Sequence, residues 1–489
     1  MAGPARVISW QEHMRGRLSV WLLLGAGCAA FSGNLALAQD PIGNAIGNTP
    51  TPENEQLPPN LQPSIASSFP VLAQFKKGLL DLGYNLQLNY TGEVLGNPTG
   101  GVKQGAINEG LFEMAVDGDL EKIAGLSGAT FHINAFVIHG RGLSTFNLFD
   151  ISPLSNIEAR PTTRLFEAWV EQQFFQGLAA VRIGQLSADT EFFISDLAAL
   201  HIDGTFGWPN IMTADLPSGG GPNYPLATPG VRLKLTPNDQ TTLLAALFNG
   251  DPSGAGFTGL QQINDPAGIN FRLKDPPFLI GEAQFKYNQG SDSAGLAGTI
   301  KLGAWHHFGG FNDERFGIDG LPLADPLSGG NALVHRGNTG VYGVIDQMIW
   351  RLPGDDPKKG VGIFARASAA PSDRNLIDFY ADAGVNFIGL WDMRPTDSFG
   401  AAASYSHISP GASGRDADAA FFTSAALPVR DYEIAFELTY QAQIVPGFLV
   451  QPVFSYIFHP GGGAINPVNP ESGRIPDAAV LGIRTAIKF

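Results

Sequence analysis

Charged residues are scarce in this chain of 489 residues. Asp, Glu, Lys and Arg make up 15% of it, against about 25% in an ordinary soluble domain, and the mean hydropathy is +0.02. A disordered chain carries many charges and few aromatic residues, whereas 10% of this chain is aromatic, so the composition excludes that class.

Cysteine and long apolar runs are also scarce. Cys28 is the single cysteine, and after residue 38 no segment offers the roughly 20 apolar residues that a membrane-spanning helix needs. A bundle of membrane helices is therefore excluded. Clusters of basic residues are missing too. The 45 acidic residues outnumber the 30 basic ones and give a net charge of −15, and a chain of this charge without a basic cluster is a poor candidate for binding nucleic acid.

The amino terminus has the pattern of a secretory signal. Arg15 and Arg17 precede an apolar stretch, which runs on in small residues to an A-x-A site ending at Ala38. We predict that residues 1–38 are a signal peptide whose removal takes Cys28 with it, so that the exported protein has neither a disulfide nor a cysteine metal site. An uncleaved membrane anchor and a lipoprotein are the alternatives.

Two further segments precede the main pattern. Residues 39–68 are rich in Pro, Asn, Ser and Gln without periodicity, which predicts an irregular linker. Between residues 69 and 82 apolar side chains recur at helical spacing, which predicts a short amphipathic helix. Its apolar residues are Val71, Leu72, Phe75, Leu79 and Leu82.

From residue 82 onwards, apolar and polar residues alternate with a period of two. Such strands present one face to an apolar medium and the other to water. We count sixteen candidate strands, mostly near the ten residues that a tilted membrane strand needs. They lie near 82–90, 111–120, 128–138, 164–175, 179–186, 229–237, 241–249, 281–289, 299–308, 340–350, 361–369, 382–391, 398–407, 432–443, 447–457 and 478–489.

These strands predict an all-β fold, a transmembrane antiparallel β-barrel of sixteen strands over residues 69–489. An even number of strands returns the chain to the side on which it began, as bacterial barrels require. Short breaks between strands fit periplasmic turns, and long breaks rich in Gly, Pro and Asp, such as 187–228 and 250–280, fit extracellular loops. We expect the 33 phenylalanines to lie largely on the lipid face and in the aromatic girdles at its edges.

The last strand carries the clearest alternation. Leu481, Ile483, Thr485, Ile487 and Phe489 share one face, and the chain ends on that aromatic residue. A terminal strand of this kind looks like the signal that the outer-membrane assembly machinery recognises, so we expect that machinery to be a partner through Phe489. The alternative is an edge strand of a secreted all-β protein.

Several segments resemble, in order, those of the carbohydrate-selective porins of the OprB family. They include RLFEAWVEQ at 164–172, VRIGQL at 181–186, GVYGVIDQ at 340–347, FAR at 364–366, ELTY at 437–440 and GIR at 482–484. The resemblance covers about residues 69–489. The chain departs from the family where an acidic residue is expected after Pro452 and in lacking a Trp-Gly pair near 61–76, which leaves the preferred sugar open.

The resemblance implies an outer-membrane porin of a Gram-negative bacterium that lets small sugars diffuse passively. Alternation places opposed charges on the lumen face, where they can orient hydroxyl-rich solutes, and aromatic rings there can stack on sugar faces. The candidate pore-lining residues are Arg164, Glu167, Trp169, Glu171, Arg182, Trp208, Arg366, Glu433 and Glu437. A generic polar wall, in which these charges merely solvate the lumen, is the alternative role for each.

Other motifs predict no chemistry. The glycines at 254–259 match a dinucleotide fingerprint but lie in a loop with no helix behind them. Glutamates four apart on a strand are separated by about 13 Å, too far for a glycosidase pair. His306 and His307 face opposite sides of one strand and cannot easily share a metal. We therefore expect no enzyme activity, cofactor or metal.

Some alternatives stay open at this point. Outer-membrane lipid and lipopolysaccharide are expected neighbours of the barrel, and a homotrimer is one open form of assembly. A general diffusion porin for small hydrophilic solutes is the nearest alternative function. A secreted all-β carbohydrate-binding protein or enzyme is the more distant one.

Overall fold

The structure is a computed structural model that describes residues 64–254, 261–290, 293–354, 356 and 358–489. It contains sixteen strands, as the alternation predicted. Their bounds are β1 Tyr84–Thr99, β2 Gly105–Asp119, β3 Ala129–Gly140, β4 Thr162–Phe174, β5 Ala179–Leu186, β6 Thr228–Asn238, β7 Thr241–Asn249, β8 Pro277–Tyr287, β9 Gly298–Gly317, β10 Ala332–Arg351, β11 Gly360–Ala369, β12 Ile377–Ile388, β13 Ser398–Ile408, β14 Tyr432–Val445, β15 Phe448–Phe458 and β16 Ala478–Lys488.

The sixteen strands form one closed antiparallel barrel. Each strand pairs with its neighbours in sequence, and β1 closes the ring by pairing with β16, with Tyr90 opposite Ile487. Closure leaves no unpaired sheet edge, which satisfies the backbone hydrogen bonds of a wall that lies in lipid. We call the end of the barrel that holds Lys488 and the start of β1 the turn end, and the opposite end the loop end.

The two faces of the wall differ as the alternation predicts. On β16, Leu481 and Ile483 are 57% and 42% exposed on the outer face, whereas Arg484 on the inner face is 7% exposed. Apolar residues thus cover the outside, and polar side chains point into the barrel. This is the geometry of a wall between an apolar medium and an aqueous lumen.

Four strands extend further toward the loop end than predicted. β1 continues to Thr99 and β2 begins already at Gly105, and β9 and β10 are each 20 residues long. In these extensions glycine and polar residues replace the apolar alternation, as in GGFNDERFG at 309–317. Such a segment above the apolar belt has no need of an apolar face, so periodicity alone does not detect it.

The described helices are short and lie in the segment before β1 and in the connections between strands. They are α1 Pro70–Asp81, α2 Leu120–Ala124, α3 Gly204–Gly207, α4 Asn210–Asp215, α5 Pro217–Gly220, α6 Pro410–Thr423 and α7 Pro460–Gly463. α1 confirms the predicted amphipathic helix. None of the helices in the described ranges has both the length and the apolar character to span a bilayer. The predicted signal peptide lies outside the described residues, as does the predicted linker except for 64–68.

Several phenylalanines lie inside the barrel, in addition to those on its outer face and at its rim. Phe192, Phe193 and Phe206 come from the loop between β5 and β6, and they are at most 1% exposed. They pack within the lumen against inward aromatic residues of the wall, including Tyr342 and Phe364. A loop that enters the lumen needs an apolar core of its own, and these rings supply it.

Gly447 in the turn between β14 and β15 tests how α1 is tied to the barrel. Its φ is +77°, and a Cβ there would approach the backbone N of Ile65 to 2.2 Å. We expect Gly447→Val to lower the free energy of unfolding by about 1–3 kcal/mol, because valine is strained at this φ. Urea unfolding followed by the heat-dependent gel shift of the barrel measures this change.

The matched control is Gly78→Ala within α1. A Cβ at Gly78 meets nothing within 4 Å, and alanine favours a helix over glycine by about 1 kcal/mol. The control is therefore expected to be at least as stable as the unchanged chain. Equal urea midpoints for Gly447→Val and the unchanged chain would show that the turn imposes no such constraint.

Candidate functional site

The lumen is narrowed by the loop 187–227 between β5 and β6, which we call the ring loop. It leaves the wall at β5 and follows the inner surface across β8 to β12 and on to β14 and β15. Its backbone is tied to the wall by inward side chains on successive strands. These are Glu167, Glu282, Lys301, Asp346, Arg366, Asn386, Glu437 and Gln451.

Arg366 on β11 is the most connected of these anchors. Its Nη1 donates to the carbonyl oxygens of Phe193 and Gly207, both at 3.0 Å, and its Nη2 donates to that of Thr205 at 2.8 Å. Nη2 also donates to Asp382 Oδ2 at 2.6 Å. The planar guanidinium thus holds two parts of the ring loop on a single buried ion pair.

Glu437 and Glu433 on β14 hold two different loops. Glu437 accepts hydrogen bonds from the backbone N–H groups of Ile202 and Asp203 at 3.0 and 2.9 Å. Glu433 accepts them from Ile151, at 2.8 Å, and from Ser152, at 3.1 Å. The second loop, residues 141–161 between β3 and β4, we call the bracing loop. Each carboxylate therefore fixes one inward loop through charge-assisted bonds.

The two inward loops also hold one another. Asn156 N–H donates to the carbonyl of Ile202 at 2.8 Å, and Gly204 N–H donates to that of Pro153 at 2.7 Å. The Ser152 hydroxyl donates to Asp203 at 2.6 Å. Complete burial raises the pKa of Asp203 to about 7. The loops thus form one assembly inside the barrel.

A four-residue charge network lies where β4, β5 and β6 meet. Glu171 is opposite Arg182, which is in turn opposite Arg232, and two adjacent cations would repel one another. Glu171 accepts from Arg182 at 3.0 Å and from Arg232 at 2.7 Å, and Glu191 of the ring loop accepts from Arg232 at 2.7 Å. Burial works to raise the pKa of Glu191, but the two arginines outweigh it and lower that pKa.

Trp169 extends this network toward β3. The guanidinium carbon of Arg182 lies 3.6 Å from the ring centroid of Trp169, which is a close cation–π contact. On its other side Trp169 stacks on His132, with the centroids 5.1 Å apart. Two positions before Trp169 on β4, Glu167 accepts a hydrogen bond of 2.8 Å from the backbone N–H of Ser187, the residue at which the ring loop begins.

Arg164 and Trp208 complete the set of predicted residues. Arg164 is 2% exposed, and its Nε and Nη1 have no hydrogen-bond partner within the described ranges. Trp208 is 4% exposed, donates to the carbonyl of Gly220 at 3.0 Å and packs in the core of the ring loop. All nine predicted residues thus lie inside the barrel, and each is at most 7% exposed. Their contact with a passing solute stays a prediction.

Several anchors were missed from the sequence. Glu93, paired with Arg484, and Asp346 lie on strands whose alternation would have placed them in the lumen. Asp382 begins a candidate strand and alternates with alanines at 381 and 383, a signal that could have been read. Glu191 lies in a loop, and nothing in the local sequence marks its two arginine partners.

The two adjacent histidines of β9 face opposite sides of the strand, as predicted. His307 faces the lumen and meets the carbonyl of Gly250 at 3.0 Å, whereas His306 lies on the other face beside Thr339. Across the part of the chain that the structure describes, no three His, Cys, Asp or Glu side chains are grouped as metal ligands.

Comparison with known proteins gives consistent similarities. The family model described as carbohydrate-selective porin, OprB family, matches residues 103–489. Porin B of Pseudomonas aeruginosa is 25% identical over 439 residues, which are 84% of this chain and 88% of that protein. The high-pH structure of Pseudomonas putida OprB has a TM-score of 0.74 at 24% identity and covers 85% of this chain and 97% of its own. The low-pH structure of that protein has a TM-score of 0.51 at 18% identity, with coverages of 85% and 96%.

Proposed function

The chain belongs to the carbohydrate-selective porin, OprB family, and on that premise we propose that it is a passive channel for small sugars in the outer membrane of a Gram-negative bacterium. The closed sixteen-stranded wall with an apolar exterior suits a membrane channel. The observation that carries the choice of solute is the pairing of charges in the narrowed lumen. Four buried arginines of the wall, Arg182, Arg232, Arg366 and Arg484, each bind a carboxylate.

The paired charges favour neutral polar solutes over ions. Arg182 and Arg232 share Glu171 and Glu191, Arg366 holds Asp382, and Arg484 holds Glu93. A pair of opposite charges has a strong field close by and a weak one far away, so neither sign of ion is drawn into the lumen over a long range. A sugar can still exchange its water for carboxylate and guanidinium partners.

We assign two roles to the nine predicted residues. Glu167, Arg366, Glu433 and Glu437 set the width of the passage, because they hold the ring loop and the bracing loop. Glu171, Arg182 and Trp169 form the charged and aromatic wall on which a sugar is recognised at the constriction, with Arg164 offering spare donors. Trp208 supports the ring loop from within its core.

A passive channel performs no chemistry on its solute. Glu433 and Glu437 are spaced as a carboxylate pair in the sequence, but each binds the backbone of a different loop. This use of carboxylates is structural. We therefore propose that the protein is not an enzyme, and that its partners are the permeating sugar, the surrounding lipid and lipopolysaccharide, and an assembly machinery that recognises Phe489.

A liposome swelling assay tests the proposal. Liposomes that contain the protein are expected to swell readily in an isotonic neutral monosaccharide, and more slowly in a charged solute of similar size. Liposomes with heat-denatured protein are the control. Swelling with neither solute would rule out a channel, and equal rates for both would favour a general diffusion porin.

A further inference from the structure

Helix α1 runs along the rim at the turn end of the barrel. The segment before it begins beside the β14–β15 turn, where Ile65 lies against Gly447. The segment after it passes through Gly83, which lies against Ile123 of α2. Twelve helical residues extend about 18 Å, and neighbouring strands are about 4.8 Å apart. The length of the helix therefore matches the width of β15, β16 and β1, which form the seam at which the barrel closes.

One side of α1 is apolar and uncovered by the described residues. Phe69, Leu72, Phe75, Leu79 and Leu82 recur at intervals of three and four residues. Phe69 and Phe75 are 52% and 57% exposed, and Val71 beside them is 79% exposed. Leu80 is the one buried residue of the helix. The helix thus touches the barrel with a narrow face and leaves its main apolar side to another medium.

The faces of α1 follow the three directions available at a membrane rim. With 3.6 residues per turn, the centre of the apolar stripe lies about a quarter turn from Leu80. The polar residues Gln74, Lys77 and Asp81 lie on the opposite side from the stripe, and Lys77 binds Asp81 at 2.8 Å. Lys76 lies at the edge of the stripe that faces Leu80, where its long stem can pack while its ammonium group reaches water. A helix that lies along the outside of the rim has three different surroundings. One face contacts the barrel, the face about a quarter turn away meets the membrane, and the face opposite the membrane meets water. The sequence of α1 matches that arrangement.

We propose that α1 is a membrane-interface helix whose apolar stripe inserts among the acyl chains of the inner leaflet, next to the barrel seam. The inference rests on the proposed function, because it needs the barrel to lie in a bilayer with its turn end toward the periplasm. An amphipathic helix with apolar and aromatic residues on one side and lysine on the other lies in the plane of such an interface.

The exposed apolar surface continues around the same rim. At the β4–β5 turn, Phe174, Phe175 and Leu178 are 43%, 79% and 46% exposed, and Leu126 in the β2–β3 turn is 54% exposed. These turns form the turn-end edge of the apolar belt, where aromatic girdles occur in membrane barrels. α1 extends this edge along the seam, so lipid is the medium that its stripe and the belt share.

A second copy of the helix is a less suitable occupant. The stripe spans two heptads, whereas the pattern of a coiled coil is sustained over at least three or four. The lumen is also unsuitable, because α1 has one buried side chain and its main contact with the wall is with β1, the strand that follows it. The inner leaflet accepts a helix of this length without further partners.

Single-cysteine labelling with an environment-sensitive fluorophore tests the proposal. Each variant carries Cys28→Ser and one new cysteine: Leu72→Cys or Phe75→Cys on the stripe, Gln74→Cys on the polar side, or Ile183→Cys on the outer face of β5, where Ile183 is 60% exposed. The labelled full chain is reconstituted into phospholipid vesicles. Quenching by brominated acyl chains is compared with quenching by iodide in the water.

We expect brominated lipid to quench the labels at 72, 75 and 183 several-fold more than the label at 74, and iodide to give the reverse order. If 183 is quenched by lipid but 72 and 75 are quenched by iodide, the helix lies in water and the inference is overturned while the channel stands. If neither agent quenches the labels at 72 and 75, protein covers the stripe and the inference is overturned. A disulfide-linked dimer of Phe75→Cys would then identify a second copy as that protein. If lipid does not quench 183, the barrel is not in the membrane and both proposals fail.

Discussion

Replacing Arg366 by alanine should release the ring loop and destabilise the barrel together. The substitution removes three hydrogen bonds to loop carbonyls and leaves Asp382 buried without its cation. Removing one partner of a buried pair costs about 3–5 kcal/mol, because the other charge is left uncompensated. We expect a lower free energy of unfolding by that amount, and a pore that is wider and noisier.

Urea unfolding and single-channel recording measure the two effects. Arg366→Lys keeps the charge but loses the planar guanidinium group. We therefore expect its free energy of unfolding to lie between those of Arg366→Ala and the unchanged chain, and its ring loop to be held less firmly. The matched control is Arg336→Ala, since Arg336 is an exposed arginine near the loop end of β10, and it should change neither quantity. An Arg366→Ala channel with unchanged conductance and noise would mean that the ring loop is held by its apolar core alone.

Replacing Glu437 by glutamine should free the middle of the ring loop with a smaller loss of stability. Glutamine presents one acceptor and one NH2 group to two backbone N–H donors, Ile202 and Asp203, that both need an acceptor. A hydrogen bond to a charged group contributes about 1.5–3 kcal/mol. We expect a loss of stability in that range and a weaker reduction of current by sugars, because the passage no longer has a fixed width.

Glu433→Gln provides the comparison, since Glu433 holds the bracing loop at Ile151 and Ser152. The two loops bind one another, so the double variant should lose less stability than the two single losses combined. Glu471→Gln at an exposed site is the control. Strictly additive losses would show that the loops are independent of each other.

The barrel could be predicted from the sequence because its determinants are local. Alternation in β16 depends only on neighbouring residues, so it fixes which side chains face lipid. The amphipathic spacing from Phe69 to Leu82 identifies α1 in the same way. The extra length of β9 and β10 escaped prediction, because beyond the membrane neither face of these strands must be apolar.

The constriction could be predicted only in part. Strict alternation cannot put Arg164 and Glu167 on one face, but the register shift between Ile133 and Ala135 of β3 inserts an extra residue in β4 and turns both inward. The path of the ring loop is not encoded locally at all. Arg366 meets Thr205 across 161 residues, and Glu437 meets Ile202 across 235.

The scarcity of charge has a structural meaning in this arrangement. The outer face must be apolar, and the loops that enter the lumen have an apolar core around Phe193 and Trp208. Among the charges on the lumen face of the wall, Arg182, Arg232, Arg366 and Arg484 are each paired with a carboxylate. A low content of charge thus comes with a passage suited to neutral solutes.

Single-channel recording across a planar bilayer tests the central claim most directly. With the unchanged protein in potassium chloride, stepwise addition of neutral monosaccharides and disaccharides on one side should reduce the current saturably. The ratio of cation to anion permeability should stay near unity, because the charges of the constriction compensate one another. A strongly ion-selective current that no sugar reduces would contradict the account.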